Sequence, residues 1–215
     1  MCLRTLFLIA VFIMSATAAV QGLKLFGTQG SRTPLVSWYL NEIKVPYTMV
    51  NPREDRNPNP FGGVPCLVDN ELCLFESGAI LLYLADKYGD CDTPERRARV
   101  GVWCVWANAT LDPILFKENE RGQVVGTGAS EENRKLRMLD AQLEGKEYLL
   151  GEFSVADVAV ASYLLYIPQF FGAKVNFGRY KNLSAYMKRC AGRTAYRAAY
   201  PSETDQILVV CDTFK

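Results

Sequence analysis

Histidine is absent from this 215-residue chain. That excludes Ser-His-Asp and Cys-His nucleophiles, a histidine general base and any zinc site that needs an imidazole ligand. Cysteine spacing supplies a second absence, for the seven cysteines at positions 2, 66, 73, 91, 104, 190 and 211 include no C-x-x-C pair. The sequence thus has neither the usual dithiol motif nor a zinc-ribbon knuckle. An odd number of cysteines in a chain of this size reads mostly as buried thiols. No charge of one sign dominates either: 24 Lys and Arg stand against 23 Asp and Glu, a net charge of +1. A nucleic acid or an anionic membrane is therefore not the expected partner, whereas a small molecule or a protein is. Apolar residues are plentiful at 49%. They can build a core without staples, in one large domain or two small ones.

The N-terminus has the pattern of a targeting segment. Met1 to Arg4 is short and positive, Thr5 to Met14 is almost wholly apolar, and Ser15-Ala16-Thr17-Ala18-Ala19 offers small residues for cleavage. The run falls short of the roughly 20 residues that span a bilayer, so no stable membrane span is expected. Residues 1–19 are set outside the fold, with the secretory route or a plastid as destination if the segment is a signal and the cytoplasm otherwise. On the former reading Asn108-Ala109-Thr110 and Asn182-Leu183-Ser184 are formal glycosylation acceptors, though both fall in expected helices.

Beyond residue 22 the hydrophobic period changes in a readable way. Leu23-Lys24-Leu25-Phe26 alternates like a strand, and Gly27 to Arg32 is turn-like. Thr33 suits an N-cap and Pro34 the first helical position, with Leu35, Val36, Tyr39, Leu40 and Ile43 at helical spacing. Tyr47 to Val50 reads as a second, parallel strand, and Asn51 to Pro60 as a loop. Two apolar runs, Cys66-Leu67-Val68 and Leu72-Cys73-Leu74-Phe75, flank Asp69-Asn70-Glu71 as a hairpin, and Ser77 to Tyr88 follows as a helix. The order β-α-β, β-β-α is that of a thioredoxin-like domain, here residues 23–89. Residues 94–215 read as a helical bundle, so the fold class is α/β plus all-α. Its marks are a helix opened by Thr93-Pro94-Glu95, a Gly-rich break over 122–128, a helix over 130–143 and a capping box at Ser154-Val155-Ala156-Asp157.

The run Asn59-Pro60-Phe61-Gly62-Gly63-Val64-Pro65-Cys66-Leu67-Val68-Asp69, followed by Leu74-Phe75-Glu76-Ser77-Gly78-Ala79-Ile80, resembles the glutathione-binding signature of the soluble glutathione transferases, bacterial and cyanobacterial members above all. Gly151 to Asp157 and Lys181 to Arg189 are similar to later segments of the same family. The resemblance implies that Val64 pairs its backbone with the cysteinyl unit of glutathione, next to a cis Pro65. It also implies that Glu76 and Ser77 meet the ammonium and carboxylate of the γ-glutamyl group. A helix start attracts that carboxylate through its free N–H groups and dipole. Ser31 aligns with a serine that donates to the glutathione sulfur, and Arg32 could add positive charge. Thr28 is an alternative donor, and a plain turn is the structural reading of Ser31 and Arg32. No cysteine stands in this loop, where the thiol-reducing branch carries one. The implied reaction conjugates the glutathione thiolate to a small electrophile, without a metal, in a homodimer. The electrophile pocket is expected between the domains, with Trp103, Trp106 and Phe116 as candidate walls. The chain departs from the family in its short 51–59 loop and in Gly63, where many relatives have a lysine. The alternatives are a non-catalytic binding or assembly module on the same fold and a glutathione-dependent thiol reductase acting through Cys66, which otherwise packs.

Overall fold

The computed structural model describes residues 22–89 and 91–214. The expected targeting segment lies outside the described residues. Strand β1 (Leu23–Phe26), helix α1 (Thr33–Glu42) and strand β2 (Tyr47–Val50) form a βαβ unit, and β3 (Cys66–Asp69), β4 (Leu72–Phe75) and α2 (Ser77–Lys87) complete the first half. The sheet order is β2-β1-β3-β4, with β1 parallel to β2 and the other two pairings antiparallel. Leu25, Leu67, Val36, Leu40, Ile80 and Leu84 are fully buried between this sheet and α1 and α2. The turn of the β3–β4 hairpin is anchored to α2, because the buried Asp69 carboxylate accepts from Tyr83 at 2.6 Å and Tyr88 at 2.7 Å and pairs with Lys87. Those bonds hold Asp69 below its ordinary range against the upward push of burial. They hold the C-terminal half of α2 against the hairpin turn.

The second half contains α3 (Pro94–Trp106), a π-helical turn (Ala107–Leu111), α4 (Asp112–Leu115), a hairpin of β5 (Lys117–Glu118) and β6 (Val124–Gly126), α5 (Arg134–Gln142), α6 (Val155–Phe171), α7 (Lys181–Ala191), α8 (Thr194–Ala199) and α9 (Thr204–Asp212). Helix α6 is the axis of this bundle. Among the described residues, Val155–Lys174 is one helical stretch long and apolar enough to cross a membrane, and most of it is buried in the protein core. Its start is the expected capping box: Asp157 accepts from the Ser154 N–H at 2.9 Å, and Ser154 caps in return.

Three local expectations are corrected. Thr33 does not cap α1: the cap position is Arg32, without a side-chain bond, and the Thr33 hydroxyl turns to Ser31 instead. Helix α5 begins at Arg134 rather than near residue 130, because the Asn133 side chain accepts from Lys135 and Leu136. The Gly-rich stretch over 122–128 is no simple break, since β6 lies within it and pairs with β5, Gly122 making the tight turn at φ +70°.

The two halves share a continuous core. Buried Trp38 of α1 meets Tyr196 of α8 edge-on at 4.9 Å between ring centroids, and its indole N–H donates to Glu42. Glu42 also receives a two-point grip from Arg193, at 2.6 and 2.8 Å. Across the molecule, the Arg32 guanidinium donates to both carboxylate oxygens of Asp112 and lies 5.1 Å from the centre of the Tyr163 ring. Both charge pairs join α1 or its approach to the helical half.

Candidate active site

Strand register decides which loops meet. Phe26, the last residue of β1, pairs with Val50 on one side and with Cys66 on the other, and Cys66 pairs with Phe75. The ends of β1, β2 and β4 and the start of β3 therefore share one edge of the sheet. Val64-Pro65 runs directly into β3 and Glu76-Ser77 directly out of β4, so both pairs adjoin the Cys66–Phe75 end of the ladder. The Gly27–Arg32 loop leaves the same edge. All six residues singled out in the sequence are thus gathered at one end of the thioredoxin-like sheet. The Val64–Pro65 bond is cis, with Pro65 buried and Val64 half-buried.

Ser31 sits in a small hydrogen-bonded knot. Its hydroxyl donates to the Thr28 carbonyl at 2.7 Å and accepts from the Thr33 N–H at 3.1 Å, with the Thr33 hydroxyl 2.8 Å away. Thr33 is wholly buried because Gly27 has no side chain: a Cβ there would fall 1.8 Å from the Thr33 hydroxyl oxygen. Two donors aimed at one hydroxyl oxygen polarise its O–H and strengthen it as a donor. To serve a sulfur, that proton must leave Thr28 while Thr33 keeps the oxygen in place. Thr28 takes part through its carbonyl, as acceptor.

Arg32 stands beside Ser31 but is turned to the helical half. Its pairing with Asp112 neutralises most of the positive charge that the resemblance assigned to the thiolate. Burial pushes Asp112 above its ordinary range more strongly than Arg32 pulls it down. Tyr163, beneath the guanidinium, is raised to about 12, first by burial, while the Arg32 charge and a hydrogen bond from Ser77 act the other way. Its hydroxyl donates to Asn108 Oδ1 at 2.8 Å, and Asn108 Nδ2 donates to the Cys104 carbonyl. Arg32, Ser77, Tyr163, Asn108 and Asp112 form one polar seam between the halves. Asn108 lies on the π-helical turn with both ends of its amide bonded, so it is poorly presented for glycosylation.

Glu76 is exposed at the cap position of α2 with φ +67° and ψ 115°, and Ser77 is 4% exposed at the first position of that helix. A β-carbon at positive φ costs about 1–2 kcal/mol, and such strain gathers at ligand sites. Glu76→Gly is expected to raise stability by about 1 kcal/mol while lowering retention on immobilised glutathione, as read by urea unfolding and affinity chromatography. A variant that binds as well as wild type would show that the strain serves no ligand. A cavity of about 280 Å³ opens beside Glu76, bounded by Ala79, Leu82, Cys104 and Asn108. A wider one of about 890 Å³, between α1 and α8, lies at the opposite end of the sheet and touches none of these residues. It has no part in the site.

The 51–63 loop is short and built of turns, tied by Asn57 and Asn59, whose amide groups donate to the Gly63 carbonyl at 2.9 and 2.8 Å. Arg53 and Arg56 are exposed on it. At Gly63 an added Cβ meets only the Asn59 amide, at 3.5 Å, so the missing lysine is not forbidden by space. Two of the three expected aromatic walls lie elsewhere, and the third, Phe116, packs on Tyr166 beside the Tyr163 of the seam. Trp103 and Trp106 stack edge-on at 5.8 Å and line a cavity of about 380 Å³ with Arg134, Lys135 and Met138 of α5, within the helical half. Among the described residues no group of three or more His, Cys, Asp or Glu is placed to hold a metal ion.

A thioredoxin-like sheet with a cis-prolyl edge beside a helix N-terminus, backed by a helical bundle, defines a two-domain thiol-cofactor protein. The glutathione S-transferase N-terminal domain model matches residues 21–86 and the C-terminal domain model residues 106–194. The chain is 33% identical to the glutathione S-transferase GstB of Escherichia coli (strain K12) over 156 residues, 65% of this chain and 74% of that protein. It is 30% identical to a glutathione S-transferase of Hyoscyamus muticus, across 66% of this chain and 75% of that one. The chain belongs to the glutathione S-transferase family. Among solved structures, a theta-class enzyme from Xanthomonas axonopodis with glutathione bound superposes with a TM-score of 0.66 at 25% identity, covering 83% of this chain and 96% of that one. A glutathione transferase from Burkholderia graminis, at 24% identity and a TM-score of 0.69 over 87% and 90%, shares the fold.

Proposed function

We propose that this protein is a glutathione transferase that activates the glutathione thiol at Ser31 and adds it to small electrophiles. The convergence of Ser31, Val64-Pro65 and Glu76-Ser77 at one end of the sheet carries the reading. Val64 offers backbone to the cysteinyl unit, and the free N–H groups at the start of α2 receive the γ-glutamyl carboxylate. Glu76 then accepts from the γ-glutamyl ammonium. A free thiol has a pKa near roughly 8.5, and only its thiolate attacks. The polarised Ser31 hydroxyl stabilises that thiolate. Arg32 acts mainly by holding the serine loop against Asp112 and contributes little free charge. The pure assembly module is disfavoured by the strained, exposed Glu76, which such a role does not require.

The expected result is retention of the wild-type protein on glutathione resin and enzymatic conjugation of at least one of several electrophiles. Failure of both assigns the chain to the non-catalytic module. Detoxification of such electrophiles by a homodimer belongs to the same proposal and rests on family likeness. Residues 1–19 are read as a cleaved targeting segment on their sequence pattern. Sequencing the mature N-terminus is expected to start near Ala19, and an intact Met1 in the mature protein removes that reading.

A further inference from the structure

Two cysteines on the β3–β4 pair, one of them at the site end of the sheet, have no part in this chemistry. Cys66 begins β3 directly after Pro65, and Cys73 lies in β4. Because Cys66 opposes Phe75 and Cys73 opposes Val68, the two are diagonal neighbours on one face of an antiparallel pair. Their sulfurs are 3.4 Å apart as thiols. A disulfide needs about 2.05 Å, and because diagonal neighbours start wider apart than a disulfide spans, closure draws the two strands together as well as turning the side chains. Cys66 is fully buried, whereas Cys73 is half-buried. We propose that Cys66 and Cys73 form a second reactive site, a dithiol that reduces small disulfides such as glutathione disulfide and closes to an intramolecular disulfide.

The asymmetry in burial orders the steps. The Cys73 thiolate attacks one sulfur of glutathione disulfide; the Cys73–glutathione bond forms, the original S–S bond breaks, and one glutathione leaves as thiolate to take up a proton. Cys66 then gives its proton to solvent and attacks the Cys73 sulfur, which releases the second glutathione and forms the Cys66–Cys73 bond. Two protein thiols lose two electrons, and one disulfide becomes two thiols. Burial holds the Cys66 thiol up at about 12, and its bond to Cys73 adds to that. Once Cys73 is bonded to glutathione, the hydrogen bond and the negative charge of Cys73 no longer oppose deprotonation of Cys66. Proximity then favours closure.

The test incubates the full chain with excess glutathione disulfide, alkylates remaining thiols after denaturation, and maps residues 66 and 73 by peptide mass. The wild type is expected to lose both thiols as one intramolecular disulfide, with two glutathione molecules released per chain. Cys66→Ala should stop at a glutathione adduct on Cys73, and Cys73→Ala should leave Cys66 unmodified. A stable adduct on wild-type Cys73, or alkylation of both residues after glutathione disulfide and after hydroxyethyl disulfide alike, overturns the proposal. A parallel arm uses hydroxyethyl disulfide, which carries no glutathione moiety. Closure with that reagent but not with glutathione disulfide upholds the dithiol and counts against glutathione binding at the neighbouring site, so the two readings fail separately.

Discussion

Asp157→Ala is expected to lower stability by about 3–5 kcal/mol, the largest loss we anticipate from a single side chain. The carboxylate is completely buried and satisfies four donors: the Leu149 N–H at 2.9 Å, the Ser154 N–H at 2.9 Å, the Ser154 hydroxyl and the Tyr186 hydroxyl at 3.1 Å. Burial pushes the Asp157 carboxyl upward, and those bonds hold it the other way. Alanine leaves the donors facing an apolar interior, where each unmet group costs about 1–3 kcal/mol. In a chain of this size that corresponds to a melting temperature lower by about 6–20 °C. Circular dichroism melts read it directly. Tyr186→Phe removes one donor and keeps the carboxylate, so a loss nearer 1 kcal/mol is expected. If Asp157→Ala melted with the wild type, α6 would not depend on its box. The consequence reaches the site, because α6 carries Tyr163 beneath Arg32.

Ser31→Ala is expected to reduce conjugation at neutral pH by about 10- to 100-fold, the worth of one charge-assisted hydrogen bond of about 1.5–3 kcal/mol. The substitution leaves the γ-glutamyl grip in place, so the KM for glutathione should change little while kcat falls. The sign with pH follows from the thiol. In the wild type the thiolate persists below the ordinary thiol pKa, and without its donor the pKa rises. The variant therefore regains activity as pH climbs through roughly 8.5. Steady-state rates across pH distinguish this from a folding defect, which no alkaline shift would repair. A uniform loss at every pH would move the role of Ser31 from thiolate donor to loop support.

Much of the thioredoxin-like half was legible because its signals are local. Alternation in Leu23 to Phe26, Pro34 at a helix start and Asn70 in a two-residue turn, where φ is +56°, each report a neighbour's conformation. The capping box was legible for the same reason. Contacts between distant residues were not. Arg32 and Asp112 lie 80 positions apart, and nothing in either neighbourhood announces the other. Thr33 reads as a cap until the missing Cβ of Gly27 shows where its hydroxyl goes. The placement of Trp103 and Trp106 within the helical half escaped the pattern too, since apolar helical spacing marks a buried face without saying which neighbour buries it. The positive φ of Glu76 had no signal at all, because glycine or asparagine is the usual mark of that conformation.

The central claim is that Ser31 lowers the pKa of the bound glutathione thiol, and a titration of that thiol by its thiolate ultraviolet absorbance in the binary complex measures it. The wild-type complex is expected to ionise at least about one unit below the roughly 8.5 of a free thiol, while Ser31→Ala ionises close to 8.5. Identical titrations of wild type and variant would contradict it.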